Sequence, residues 1–198
     1  MKKVISLSTL AVGLFLSSFA HAADDEKFNI DAKRSSIEWV GKKVIGQHHG
    51  IIKMSSGQVV VNNNIVKAGS FAADMNTLSC SDLEGESNKK LIDHLKSEDF
   101  FSVTKHPKAK FEITKTTVVG VNRVNVSGNL TIKGITRPLN FTADTQKKGN
   151  EFTATAKNVK VDRTKYDIKY GSKNFFASIG DKAIDDDFEL TINLVAAK

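Results

Sequence analysis

Apolar and polar residues alternate along most of this chain with a period of two. Between Val124 and Lys133 every second residue is apolar or glycine, and the residues between them are mostly polar. The segment Phe188–Leu194 repeats the pattern. Successive side chains of a β-strand point to opposite faces, so the alternation predicts strands with one buried and one wet face. Shorter segments of similar composition predict further strands: Ile37–Trp39, Ile51–Met54, Val59–Val61, Ile65–Met75, Phe111–Ile113, Ile135–Ala143 and Phe152–Ala156.

One segment has helical spacing instead. Leu91, Ile92 and Leu95 fall on one helical face, and Ser87 is the expected N-cap, which predicts a helix around 87–97. The glycine-bounded loop that follows the later strands predicts a short helical loop near 171–178. Many strands, short turns and one helix predict a mainly β fold. We expect about eight antiparallel strands in a barrel or sandwich.

The first 22 residues differ from the rest. Lys2 and Lys3 precede an apolar run that ends at Phe19, and Ala20–Ala22 supplies small residues at the cleavage positions. This order predicts a secretory signal peptide over residues 1–22, because the run is too short and polar to span a membrane. A single domain over residues 23–198 would follow. No transmembrane segment is expected after cleavage.

Signal cleavage can be checked on the exported protein. N-terminal sequencing should begin near Ala23, because the cleavage motif ends one residue earlier. Protein that keeps Lys2 and remains in the membrane fraction would contradict the signal peptide.

The composition argues against several classes of function. The sequence has no G-x-S-x-G, no H-E-x-x-H, no cysteine pair and no phosphate-binding glycine loop. We therefore predict no enzyme, no catalytic residue and no cofactor. The net charge of +7 comes from dispersed lysines rather than a basic stripe, which argues against nucleic acid. Cys80 is the single cysteine and is expected to be buried, with intermolecular pairing or redox sensing as the alternatives.

A few polar residues are candidates for contacting the head group of a ligand. His48 and His49 are adjacent, so on a strand they point to opposite faces, and we predict no shared metal. One of them could face the interior. Arg163 is a further candidate, although it could instead pair with Asp162 or Asp167 and close a barrel end. The acidic run 185–187 lacks the spacing of a calcium loop and is interpreted as a solvated turn.

The interior of such a barrel can be filled or hollow. A barrel of eight strands is the size at which both outcomes occur. The chain has 12 Phe but one Trp and two Tyr, which suits an interior without hydrogen-bonding groups. If the barrel is hollow, the candidate lining residues are the apolar ones at inward positions and in the later loop: Trp39, Phe111, Val126, Leu130, Ile132, Phe141, Phe175, Phe176 and Ile192.

Several motifs together resemble those of a known family. The most specific are Leu95–Phe101 (LKSEDFF) and Leu130–Pro138 (LTIKGITRP). Phe28–Asp31, Ile37–Trp39 and Asp162-Arg163 occur in the same order along the chain. In combination they strongly resemble the YceI family of bacterial periplasmic proteins, over essentially the whole chain after the signal peptide.

The resemblance implies a lipocalin-like antiparallel barrel with a helix across it, a long apolar cavity and no catalytic residues. Members are described as binding polyisoprenoid chains, isoprenoid quinones or fatty amides. We therefore predict a non-enzymatic periplasmic carrier or reservoir for a long-chain lipid. It would be a monomer or homodimer, with membrane proteins that handle quinones as candidate partners. Two alternatives stay open: a lipid-modifying enzyme that uses the same cavity, and a solid-core module for envelope interactions.

Overall fold

A computed structural model describes residues 24–62 and 65–198. The signal peptide predicted over residues 1–22 lies outside the described residues, as do residues 63 and 64. Within the described ranges the chain forms nine strands and one α-helix, α1, which spans Gly85–Lys96 between β4 and β5. The strands are β1 (Glu26–Ile30), β2 (Ser36–Lys43), β3 (Gln47–Asn62), β4 (Ile65–Cys80), β5 (Lys108–Gly120), β6 (Arg123–Ile132), β7 (Ile135–Lys148), β8 (Glu151–Asp162) and β9 (Ile184–Ala197).

The strands close into one antiparallel barrel. Their order around it is β3, β2, β9, β8, β7, β6, β5 and β4, and β4 pairs again with β3. The short β1 shares the place of β2, because both pair with β3 and with β9. Closure pairs the strand edges that an open sheet would expose. The predicted mainly β barrel of about eight strands is confirmed.

Two long strands replace three shorter predicted segments. Ile51–Met54 and Val59–Val61 both belong to β3, which is 16 residues long, as is β4. The polar residues between these segments interrupt the apolar pattern but not the strand. The ladder accommodates them with a register shift between Met54 and Ser56.

The helix is confirmed in position but begins earlier than predicted. Its N-cap is Glu84 rather than Ser87, and no side chain caps it. Leu91, Ile92 and Leu95 pack against the cluster that contains Trp39 and Met75, so α1 lies over one end of the barrel. The segment 171–178 consists of hydrogen-bonded turns, and a 3-10 turn follows at Gly180–Lys182. No helix in the described ranges is both long enough and apolar enough to cross a membrane.

The tight turn between β6 and β7 depends on its two central residues. Lys133 has a φ of 53° and Gly134 a φ of 77°, in the left-handed region that glycine adopts without strain. Two consecutive residues of positive φ match the twist of a two-residue hairpin. The turn fixes the register in which Ile132 faces Ile135.

Candidate ligand cavity

The barrel encloses an elongated apolar cavity of about 200 Å³. Its wall on β6 extends from Val124 to Ile132, a distance of about 26 Å along the strand at about 3.3 Å per residue. Because the strands of such a barrel are tilted by about 35–45°, this wall corresponds to about 20 Å along the barrel axis, over which a cavity of this volume forms a narrow tunnel. Among the described lining residues, the charged or hydroxyl side chains come from Lys110, Thr145 and Arg163. The interior is therefore hollow, narrow and almost entirely apolar.

The alternating pattern correctly indicates the inward face. Seven of the predicted apolar contacts border the cavity, namely Trp39, Phe111, Val126, Leu130, Ile132, Phe141 and Ile192. Ile132 is only 6% exposed, whereas the polar Asn129 beside Leu130 is exposed. The position of these side chains in the wall follows from strand geometry. Their contact with a ligand stays a prediction.

Phe175 and Phe176 do not line the cavity, contrary to the prediction. They are 49% and 51% exposed and lie in the loop between β8 and β9. Hydrogen bonds from both backbone N–H groups to the carbonyl of Ser172 hold the loop in tight turns. Lys169 Nζ lies 5.2 Å from the centre of the Phe175 ring, on the outer side of the molecule. An aromatic pair in a loop carries no alternation, so its direction could not be deduced from the sequence.

Arg163 is a structural residue that holds this same loop. Its side chain is 4% exposed, and burial lowers the pKa of the guanidinium from its ordinary value. The guanidinium makes five hydrogen bonds of 2.8–3.5 Å. Nε donates to the carbonyl oxygen of Asp185, and Nη1 donates to the carbonyl oxygens of Ile168 and Tyr170. Nη2 donates to the carbonyl oxygen of Ile184 and to Oδ1 of Asp186. A guanidinium has five N–H donors, and all are used. Arg163 borders the cavity but has no donor left for a head group.

The acidic partner of Arg163 differs from the prediction. Neither Asp162 nor Asp167 pairs with it; the carboxylate is that of Asp186, 3.5 Å from Nη2. The run 185–187 also differs from the prediction, because it is part of β9 rather than a solvated turn. Asp162 instead caps the following 3-10 turn, accepting hydrogen bonds from the backbone N–H and hydroxyl of Thr164. The pairing of β8 with β9, in which Asp162 is opposite Asp187, brings the start of β9 to Arg163.

His48 and His49 both lie near one carboxylate, outside the cavity lining. Nδ1 of His48 is 2.7 Å from Asp82 Oδ2, and Nδ1 of His49 is 3.7 Å from Asp82 Oδ1. The two oxygens of Asp82 therefore reach both rings, and the expectation that the two histidines share no metal stays a prediction. Burial alone would raise the pKa of Asp82. Hydrogen bonds from the His49 backbone and the His48 ring outweigh it and hold that pKa well below its ordinary value.

Cys80 is buried, as predicted, at the end of β4. Its thiol is nevertheless not in a purely apolar environment, because Sγ lies 3.3 Å from Asp82 Oδ1. Burial raises the pKa of the thiol from its ordinary value.

Thr145 is a cavity residue that the sequence reasoning missed. It is 6% exposed and lines the cavity on β7, two residues beyond Ala143. Its position could have been found by continuing the alternation of Phe141 and Ala143 by one more step. Sequence reasoning also missed the contribution of small and flexible side chains, including Met54, Ala73 and Ala156. These residues leave the space that larger side chains would fill.

The fold and the cavity define a hollow, lipocalin-like antiparallel barrel. A family model described as the YceI-like domain matches residues 28–196, so the chain belongs to the YceI family. UPF0312 proteins of Pseudomonas putida (strain W619) and Pectobacterium carotovorum are each 28% identical to it. Each of these matches covers 76% of this chain and 77% of the relative.

Solved structures share the fold. BcnA of Burkholderia cenocepacia has a TM-score of 0.68 at 22% identity, over 85% of this chain and 99% of that one. A polyisoprenoid binding domain from Saccharophagus degradans, implicated in plant cell wall breakdown, has a TM-score of 0.61 at 11% identity, over 86% and 97%. A YCEI protein of Campylobacter jejuni has a TM-score of 0.53 at 15% identity, over 100% and 99%. At these identities the likeness concerns the architecture.

Proposed function

We propose that this protein is a non-enzymatic periplasmic carrier or reservoir that holds the chain of a long amphiphilic lipid in its barrel. The observation that carries the proposal is the narrow apolar tunnel of about 200 Å³. A single extended hydrocarbon or isoprenoid chain matches this shape better than a broad ligand. A structurally similar protein described as a polyisoprenoid binding domain supports the same class of ligand.

Burial of the chain supplies enough affinity without a strong polar contact. Each methylene removed from water contributes about 0.8 kcal/mol, so a chain of ten buried carbons has a gross contribution of about 8 kcal/mol before the cost of ordering it. The donors of Arg163 are all engaged. We therefore propose that the head group remains near an end of the barrel, and that a polyisoprenoid, an isoprenoid quinone or a fatty amide can occupy the tunnel.

Native mass spectrometry of the purified protein tests this function. We expect an intact lipid to remain bound through the gentle ionisation, because its chain lies inside the closed wall of strands. A chemically converted lipid would favour the alternative of an enzyme. Protein that carries no lipid even after incubation with polyisoprenoid, quinone and fatty-amide mixtures would contradict the carrier.

A filled cavity should abolish binding without unfolding the barrel. Ala156 is buried and lines the cavity on β8, so Ala156→Phe places a ring in the space proposed for the chain. We expect the affinity for the lipid to fall at least about tenfold, which corresponds to about 1.4 kcal/mol, and the occupancy in native mass spectra to fall with it at limiting lipid concentration. The matched control is Lys157→Phe, because Lys157 is the exposed neighbour on the same strand. Equal occupancy in the two variants would place the lipid elsewhere.

A further inference from the structure

A cluster of metal-ligating side chains lies at the end of the barrel beyond Trp39, outside the cavity lining. It consists of His48 at the start of β3, Cys80 at the end of β4, and Asp82 shortly after it. One ligand atom from each residue lies within 4.8 Å of the other two. The lipid function proposed above uses none of the three.

Strand pairing explains why these residues meet. Gly50 is opposite Cys80 in the ladder between β3 and β4, and the N–H of Ser81 donates to the carbonyl of His49. His48 lies two residues before Gly50, and Asp82 lies two residues after Cys80. Because side chains two residues apart share a face of the sheet, alternation places all four positions on one face. A Cβ at Gly50 would lie 1.8 Å from the carbonyl oxygen of Ser79, so glycine permits the close approach of the two strands.

We propose that His48, Cys80 and Asp82 form a binding site for a zinc ion, with water as the fourth ligand. The thiol Sγ and the ring Nδ1 of His48 already point at the same carboxylate, at 3.3 Å and 2.7 Å. In a tetrahedral zinc site with bonds of about 2.0–2.3 Å, the ligand atoms lie about 3.3–3.7 Å apart. The distance between Sγ and Oδ1 already matches this spacing, whereas His48 Nδ1 has to move away from the carboxylate by about half an ångström to admit the ion. An imidazole, a thiolate and a carboxylate favour zinc over the oxygen-seeking Mg²⁺ and Ca²⁺.

Access and charge are compatible with an ion. The side chains of His48 and Asp82 are 27% and 21% exposed, so the ion can enter from solvent, while Cys80 forms the buried floor. On binding, the Cys80 thiol loses its proton to solvent, and the imidazole of His48 changes tautomer through solvent, so that Nε2 carries its proton and Nδ1 presents a lone pair. Zinc–sulfur and zinc–nitrogen bonds then form, and zinc takes the place of both protons beside the Asp82 carboxylate. A thiolate and a carboxylate together balance the two charges of the ion. Three ligands and one open position match the general pattern of accessible zinc sites.

The chain contains a reporter beside the site. Trp39 is the single tryptophan of the sequence, and its indole Nε1 donates to the carbonyl of Ser79 at 3.0 Å. Ser79 directly precedes Cys80. An ion held by Cys80 should therefore shift the fluorescence of Trp39, giving a signal that a nonspecific surface ion would not produce.

Calorimetric titration of the purified full-length protein with Zn²⁺ alone tests the proposal, in chelator-free buffer with the thiol kept reduced. We expect one ion per chain and no comparable binding of Mg²⁺ or Ca²⁺. Cys80→Ser, Asp82→Asn and His48→Gln should each weaken binding by about 100-fold or more, since loss of even an outer partner of a ligand costs about 10–100-fold. Titration with Co²⁺ should give a thiolate-to-metal absorption band that Cys80→Ser lacks.

The matched control is His94→Gln. His94 also contacts a carboxylate, with Nε2 3.3 Å from Asp99 Oδ2, but that pair is not part of the three-residue cluster. This variant should bind one Zn²⁺ with unchanged affinity. Circular dichroism without metal verifies that each variant is folded, and at least two of the three ligand variants must be folded for the comparison. The absence of stoichiometric binding, or full affinity in any folded ligand variant, would overturn the site. Neither result bears on lipid retention, which is measured separately.

Discussion

Ile132→Lys should lower the free energy of unfolding by about 3 kcal/mol or more and abolish lipid retention. Ile132 is 6% exposed and faces the cavity. A lysine there places an ammonium group in an apolar interior, where an unpaired charge loses its hydration or must release its proton. Urea unfolding gives the stability, and native mass spectrometry gives the lipid occupancy. Both quantities should fall together.

Thr131→Lys is the matched control on the next residue. Thr131 points to the outer face, where its hydroxyl meets that of Thr136 at 2.8 Å. Surface substitutions usually change stability by less than about 0.5 kcal/mol, so we expect a nearly silent variant with normal lipid occupancy. The same contrast is expected between Phe141→Lys and Thr142→Lys. Equal losses at Ile132 and Thr131 would mean that both faces are buried, and the hollow barrel would have to be abandoned.

Arg163→Met should strongly destabilise the protein, because Arg163 holds the loop between β8 and β9. It removes five hydrogen-bond donors and leaves the carbonyls of Ile168, Tyr170, Ile184 and Asp185 without them. It also leaves Asp186 without its buried cation. Removing one partner of a buried charged network costs about 3–5 kcal/mol. Urea unfolding should show a loss in this range, and proteolysis should cut the loop before β9 sooner.

Two controls distinguish geometry from charge at this position. Arg163→Lys keeps the charge, but an ammonium cannot reproduce the planar fork that reaches four carbonyls, so we expect an intermediate loss. Lys165→Met removes an exposed cation from the same 3-10 turn and should be nearly neutral. If Arg163→Met were as stable as Lys165→Met, the network around Arg163 would not hold the loop.

Much of the wall could be derived from alternation alone. Val126, Leu130 and Ile132 are on the inward face because strand geometry assigns every second residue to it, whatever the partner strands are. The helix was likewise indicated by the spacing of Leu91 and Leu95. Its start was not, because Glu84 occupies the N-cap without the side-chain hydrogen bond that makes a cap recognisable in a sequence.

Residues in loops were harder to assign. Phe175 and Phe176 look like lining residues by type, but turns anchored on Ser172 direct them outward. Arg163 looks available for a ligand, yet carbonyls from both ends of the loop, such as those of Ile168 and Ile184, accept hydrogen bonds from its donors. In neither case does an alternating pattern of apolar and polar residues determine the direction of the side chain, because that direction depends on the folded conformation of the loop.

Patterns in the sequence predict the alternating strands, the approximate helix and most of the apolar wall, and its motifs indicate the YceI family. These features depend on local geometry, in which neighbours along the chain define the two faces of each strand. The tertiary structure decided that the barrel is hollow, that Asp186 rather than Asp162 or Asp167 pairs with Arg163, and that His48, Cys80 and Asp82 meet. The hollow interior depends on how side chains from all the strands fill the barrel, and the other two features depend on the register of paired strands and on the loops beside them, none of which a local pattern encodes.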